Sequence, residues 1–300
     1  MKRPWLFGGL ALAAPLLLYG FSQWRAAGNR GGQSAAEPFR IAGNLYYVGA
    51  SDTTSYLITG PEGHVLIDGG FPGTPPLIMG AIAKLGFDIR DVKVLLNSEP
   101  NLDHAGGLAE LQKVSGARLW VSEEAARAIS SGGVSQGTST PITMIRWLGL
   151  GSYAPARVDK RVKDGEVVRL GPIELTAHIT GGHVPGCTSW AIPVQDAGRN
   201  LLALNVCNLS VFPGMSLVEP EVYPGIRADF EHSFRVLRSL PVDIWMTTHA
   251  RAWGRYRKFV ERGKSKDPVA PFLDRAGYLA YLDDAEKEFR AKLAEQQGRR

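Results

Sequence analysis

The feature that most constrains this chain is a rhythm. Short strand-like runs are followed by helices, and the same order then comes round once more. "NLYYVGA", "SYLIT" and "HVLIDGG" open it, separated by Gly and Asp-Thr turn signals as in a β-meander. "TPPLIMGAIAKLGF" follows, with Pro near a helix start and Leu77, Ile78, Ile82 and Leu85 at helical spacing. "VKVLLN" reads as a buried strand, Ala105 to Val114 as a helix, "RLWVS" as a strand, and Ser122 with Glu123 as the start of a further helix. From about Ser130 to Lys163 the pattern gives way to Gly, Ser, Thr and Pro, which predicts a long functional loop. The rhythm resumes in "EVVRLG", "IELTAHI", "TSWAIPV" and "RNLLALNV", a helix opened by Asp229, the strand "DIWMTT" and two closing helices. The last helix sets Tyr278, Leu282, Phe289 and Leu293 on one side as a docking face. Two β-rich halves with helices segregated outside predict an α+β chain of two packed sheets between helical outer layers.

The N-terminus stands apart. Lys2 and Arg3 precede an apolar run from Trp5 to Phe21, interrupted by Pro15, which is the layout of a secretory signal peptide. "QSAAEP" offers cleavage after Ala36 but lies far downstream, so an uncleaved membrane anchor through residues 5–21 is the alternative. Gly28 to Glu37 reads as a linker that buries nothing. Residues 1–36 are therefore a signal peptide or anchor plus linker, and residues 37–300 the folded domain. The expected location is the periplasm or another exported compartment, on the membrane if the segment is not cleaved. Residues 1–36 hold Lys2, Arg3, Arg25 and Arg30 and no acid, about four of the net +5 charges. The remainder is nearly neutral, with no basic cluster interleaved with aromatics, which argues against nucleic acid as a partner. Export permits a disulfide. A Cys187–Cys207 bridge and two separate buried thiols both fit the sequence.

Six histidines are present. Three of them, His104, His183 and His249, lie just after strands beside small or turn-forming residues, in "LDHAGG", "ITGGHVPG" and "MTTHARA". Side chains at strand ends converge on one edge of a sheet sandwich, where loops carry sites. Asp103 adds an oxygen donor, and imidazole with carboxylate suits zinc. His64 is expected on the exposed side of a strand, His178 within a strand and His232 on the polar face of a helix, none with a functional role.

From about Phe39 to Leu293 the chain resembles the metallo-β-lactamase superfamily, and within it subclass B3. The residues that carry the resemblance are "VLIDGG", "DHAGGLAELQKVSGARLWVS", "TAHITGGHVPGCTSW", "VYPGIRADFEHSFRVLRSLP" and "GYLAYLDDAEKEFRAKL". "GCTSW" after the histidine loop is the most specific of them. The resemblance implies a four-layer αββα sandwich and two zinc sites at its edge. The family hallmark His-x-His-x-Asp-His stands here as Glu99-x-Asn101-x-Asp103-His104. Of the first site's ligands, only His183 matches, with Glu99 and Asn101 in the other two positions. The second site is complete in Asp103, His104 and His249. Asp68 matches a residue that braces the metal loops from behind. Ser210 matches a serine that meets the substrate carboxylate, and Asn208 stands where another serine is common.

A carboxylate can bind zinc, but the amide oxygen of Asn101 is a weak donor beside imidazole. The expectation is one firmly bound Zn2+ at the second site, with a second weak or absent. Asp103 and Glu99 are the expected catalytic residues, Glu99 as ligand, as general base for water, or only as a hydrogen-bond partner of His183 or a loop amide. The stretch from Trp147 to Tyr153 would give the substrate an apolar wall. The function implied is an exported zinc hydrolase that opens the β-lactam ring of antibiotics and so confers resistance. Two other readings fit the residues: the same fold acting on a lactone, thioester or other ester, and a degenerate member that binds a ligand or metal without turnover.

Overall fold

The computed structural model describes residues 34–133, 151–212 and 214–299. The apolar run at residues 5–21 and the Trp147 end of the expected apolar wall lie outside them. One sheet has seven strands in sequence order: β1 (Phe39–Ala42), β2 (Leu45–Tyr47), β3 (Tyr56–Ile58), β4 (His64–Ile67), β5 (Val92–Leu96), β6 (Arg118–Ser122) and β7 (Val158–Val162). The β1–β4 meander is antiparallel, and β4 to β7 run parallel. The second sheet has five strands in the order β12–β11–β10–β9–β8, where β8 is Val167–Leu170, β9 Ile173–Ile179, β10 Thr188–Asp196, β11 Arg199–Val206 and β12 Ile244–Thr247.

Strand β4 explains the layering. Val65 and Ile67 belong to the core shared with the second sheet, while Leu66 between them packs into a separate core under the helices. A strand apolar on both faces must be covered on both. The outer cover of the first sheet is α1 (Pro75–Lys84), α3 (Leu108–Ser115) and α4 (Glu123–Ser130), through Ile78, Ile82, Leu108, Leu111 and Ile129. The second sheet is covered by α5 (Ile226–Ser239) and α6 (Arg275–Gly298), whose Phe230, Phe234 and Phe289 rings pack together. The αββα sandwich implied by the sequence is the fold.

Several boundaries differ from the expected ones. The helix expected over Ala105–Val114 is two helices, a short α2 (Leu102–Ala105) and α3, parted at Gly106–Gly107. The helix expected from Asp229 starts at Ile226, capped by Gly225 in a left-handed conformation. Strand β7 runs through the expected loop, and β1 precedes the expected meander. Ala35 is not free linker: it bridges to Ala50, and Ser51 N–H donates to the Ser34 carbonyl at 2.9 Å. His64 is buried rather than exposed, its ring edge-on to Phe87 at 5.2 Å, because that face of the sheet is covered too.

The ends of β4, β5, β9, β11 and β12 lead to Asp68, Glu99, His183, Ser210 and His249 respectively.

Candidate metal centre

His104 is seated by backbone. After β4, Asp68 takes a left-handed conformation (φ 65°) and leads into Gly69–Gly70. Gly69 N–H donates to the His104 carbonyl at 2.8 Å, and Gly107 N–H to the Gly70 carbonyl at 3.0 Å. A Cβ on Gly107 would stand 2.2 Å from the Gly69 carbonyl oxygen, and one on Gly69 2.7 Å from the Leu108 nitrogen. The two Gly-Gly pairs of "LIDGG" and "DHAGG" thus stack main chain on main chain, which only glycine permits. Asp68 then grips the end of β5. Its carboxylate accepts from Asn97 Nδ2 at 2.9 Å, from Ser98 N–H at 2.7 Å, and from the Ser98 hydroxyl. Burial pushes its carboxyl up to about 6 against the pull of His104 and Ser98. It braces the segment that carries Glu99.

One donor atom each from Asp103, His104 and His249 lie within 4.8 Å of one another. Asp103 Oδ2 is 3.1 Å from His104 Nε2 and 3.6 Å from His249 Nε2. The two rings stand edge to face with centroids 5.0 Å apart. Glu99, only 1% exposed, sets Oε1 at 3.5 Å from His104 Nε2 and 3.9 Å from His183 Nε2. That oxygen accepts from Asn101 Nδ2 at 2.9 Å.

The histidines are aimed by what lies behind them. His183 Nδ1 faces the Ser210 carbonyl at 2.8 Å. A carbonyl only accepts, so Nδ1 carries the proton and Nε2 keeps its lone pair towards Glu99. His249 Nδ1 faces Asp52 Oδ2 at 3.3 Å, a residue the sequence marked only as part of a turn signal. Neither ring nitrogen of His104, itself fully buried, makes an aligned hydrogen bond. Two such atoms on one buried imidazole, beside two carboxylates and a second imidazole, leave room for a ligand among them.

Charge points in the same direction. Burial opposes a proton on His104, yet the Asp103 and Glu99 carboxylates overcome it and hold the imidazole up to about 10. Burial likewise opposes charge on Asp103, and His104 and then His249 hold its carboxyl well below the usual range. A buried cluster that draws a proton onto imidazole at neutral pH is one that favours a cation. With two imidazoles and a carboxylate converging, the donor set fits zinc.

Ser210 and Asn208 sit at the rim behind His183. Asn208 Oδ1 accepts from Ser210 N–H at 3.0 Å, and Ser210 Oγ lies 3.3 Å from His183 Nδ1. The two cysteines form a disulfide, closing the sequence choice. It ties the His183 loop to the start of the Asn208–Ser210 segment, and Cys207 Sγ lies 3.7 Å from Glu99 Oε2. Tyr153 turns inward rather than lining a wall; its hydroxyl donates to the Pro100 carbonyl at 2.6 Å.

A four-layer sandwich with imidazoles and carboxylates converging at the strand ends is the frame of a zinc-dependent hydrolase. The profile of the metallo-beta-lactamase superfamily matches residues 48–197, and the chain belongs to that superfamily. Among solved structures it is similar to the native FEZ-1 metallo-beta-lactamase from Legionella gormanii, at 37% identity over 88% of this chain and 98% of that one, with a TM-score of 0.83. MEM-A1, a subclass B3 metallo-beta-lactamase from a soil metagenome library, matches at 33% identity over 89% of this chain and 99% of its own, with a TM-score of 0.80. BJP-1 of Bradyrhizobium japonicum, also subclass B3, matches at 31% identity over 89% and 97%, with a TM-score of 0.78.

Proposed function

We propose that this protein is an exported zinc hydrolase that opens the β-lactam ring, relying chiefly on zinc held by Asp103, His104 and His249. The observation that carries the reading is the meeting of those three donors around a fully buried His104 whose ring nitrogens have no aligned partner. The B3 enzymes it resembles support the substrate class. Zinc in this site would act as a Lewis acid and lower the pKa of water towards ~7.

The chain's own residues supply the rest. Glu99 Oε1, set between the Nε2 atoms of His104 and His183, is the base that takes the proton from the attacking water. Asn101 Nδ2 fixes that oxygen in place. The water oxygen bonds the lactam carbonyl carbon, the ring C–N bond breaks, and the proton held by Glu99 passes to the leaving ring nitrogen, which returns Glu99 to its carboxylate form. The Ser210 hydroxyl and the Asn208 amide are the groups for the substrate carboxylate. A second zinc, if taken up between Glu99 and His183, would be the weaker one, since only His183 is an imidazole there.

The test is metal analysis during zinc titration, with hydrolysis followed on a penicillin, a cephalosporin and a carbapenem beside a lactone and a thioester. The expected result is β-lactam turnover that saturates with the first equivalent of zinc and is abolished in His249→Ala. Turnover of lactone or thioester with the β-lactams untouched would sink the substrate assignment.

A further inference from the structure

We infer that Asp52 is a positioning residue of the metal centre, its carboxylate fixing the tautomer and the aim of His249. The inference rests on the zinc reading above and deepens it.

Asp52 lies in the turn between β2 and β3 and holds the His249 loop from three sides. Its Oδ2 is 3.3 Å from His249 Nδ1. Its Oδ1 accepts from Arg251 N–H at 3.1 Å, and its backbone carbonyl from Ala250 N–H at 2.6 Å. The rest of the turn continues the grip. Thr53 bridges to His249, Thr54 N–H donates to the Thr248 carbonyl at 3.1 Å, and the hydroxyls of Thr54 and Tyr56 reach the Thr247 carbonyl at 3.0 and 2.9 Å. A hairpin turn of the first sheet therefore carries the loop that follows the second sheet's edge strand.

A neutral imidazole has one N–H. Asp52 accepts it at Nδ1, which leaves the Nε2 lone pair facing Asp103 Oδ2 at 3.6 Å. His183 is oriented differently, by the uncharged carbonyl of Ser210. A carboxylate behind a ligand imidazole makes it a stronger donor than a carbonyl does. The asymmetry favours the His249 side of the centre as the tighter zinc position. It also accounts for a buried-edge acid that the hydrolytic step does not use. Arg251 Nη1 reaches the same oxygen, 3.0 Å from Oδ2, so the acid is held by the His249 loop beyond the histidine itself.

The experiment compares wild type, Asp52→Asn, Asp52→Ala and His249→Ala by zinc competition against a chromophoric chelator. Apo melting curves accompany it, together with the nitrogen NMR signals of His249 in zinc-free wild type. The expected result is a ~10–100-fold loss of affinity in both Asp52 variants. Wild-type His249 should carry its proton on Nδ1. If His249→Ala loses zinc while both Asp52 variants bind as tightly as wild type, the positioning role is refuted. A wild-type proton on Nε2 refutes it as well, whether or not the variants fold. If wild type takes up no zinc, or His249→Ala binds as well as wild type, it is the zinc reading that has failed.

Discussion

His104 concentrates the charge balance of the centre in one side chain. In the metal-free protein it holds a proton up to about 10 because the Asp103 and Glu99 carboxylates outweigh the burial that opposes it. Its folded value lies above the ordinary 6.5, so its contribution to metal-free stability is fully present below pH 6.5 and is lost as pH rises through about 10. Zinc needs the neutral ring, so loading at pH 7 should expel that proton, and apparent affinity should climb up to ~tenfold per pH unit as pH rises from 7 towards 9. Calorimetry in two buffers of different ionisation heat measures this directly; an uptake heat independent of buffer would refute it. Glu99 gives a second prediction at this scale. As the base, Glu99→Gln should lower kcat by ~10²–10⁴-fold while the Asp103–His104–His249 zinc stays bound. Loss of that zinc together with activity would make Glu99 a ligand instead. Asp103, His104, His183 and His249 were legible in the sequence because each imidazole follows a strand beside glycine or another small residue. Asp52 was not, because a short acid in a turn forms turns equally well with no ligand behind it.

Among the elements, the stacked turns after β4 and within α2–α3 set the position of His104 more tightly than any side chain does. Gly107→Ala would push a methyl group to 2.2 Å from the Gly69 carbonyl oxygen, a backbone atom with no room to yield. The expected cost is about 1–3 kcal/mol, with the melting temperature falling by roughly 2–10 °C. Zinc affinity should fall with it, because the same shift displaces the His104 carbonyl from Gly69 N–H. Thermal denaturation and zinc titration of the variant check both, and wild-type values in each would overturn the argument. The Gly-Gly break itself was hidden in the sequence, since a pattern of Leu and Ala on either side continues through it at helical spacing. Strand β7 escaped for a different reason. It is the sheet's edge, with Asp159, Lys160 and Arg161 exposed and only Val162 buried, so it lacks an apolar signature. Charged edges of this kind protect a sheet from pairing with another chain. The central strands, buried on both faces, were legible for the opposite reason.

On the scale of the molecule, the centre is a seam. Glu99, Asp103 and His104 come from the half that forms the seven-stranded sheet; His183 and His249 come from the half that forms the five-stranded one. The halves were visible as a repeated strand-and-helix order, but their registration against each other was not, since sequence spacing cannot say which strand ends meet. A metal held across that seam ties the halves together and binds the folded chain alone. Zinc at ~1,000 times its dissociation constant should therefore stabilise the fold by about 4 kcal/mol. For a domain of this size that raises the melting temperature by roughly 8–16 °C. Calorimetry with zinc and with a chelator should show one transition that moves as a whole, because unfolding either half destroys the site. In His249→Ala the shift should shrink to a small fraction of this, since the second half then contributes no ligand to the Asp103–His104 pair. Two separating transitions on zinc removal would mean that the sheets fold independently, and a full shift in His249→Ala would place the metal elsewhere.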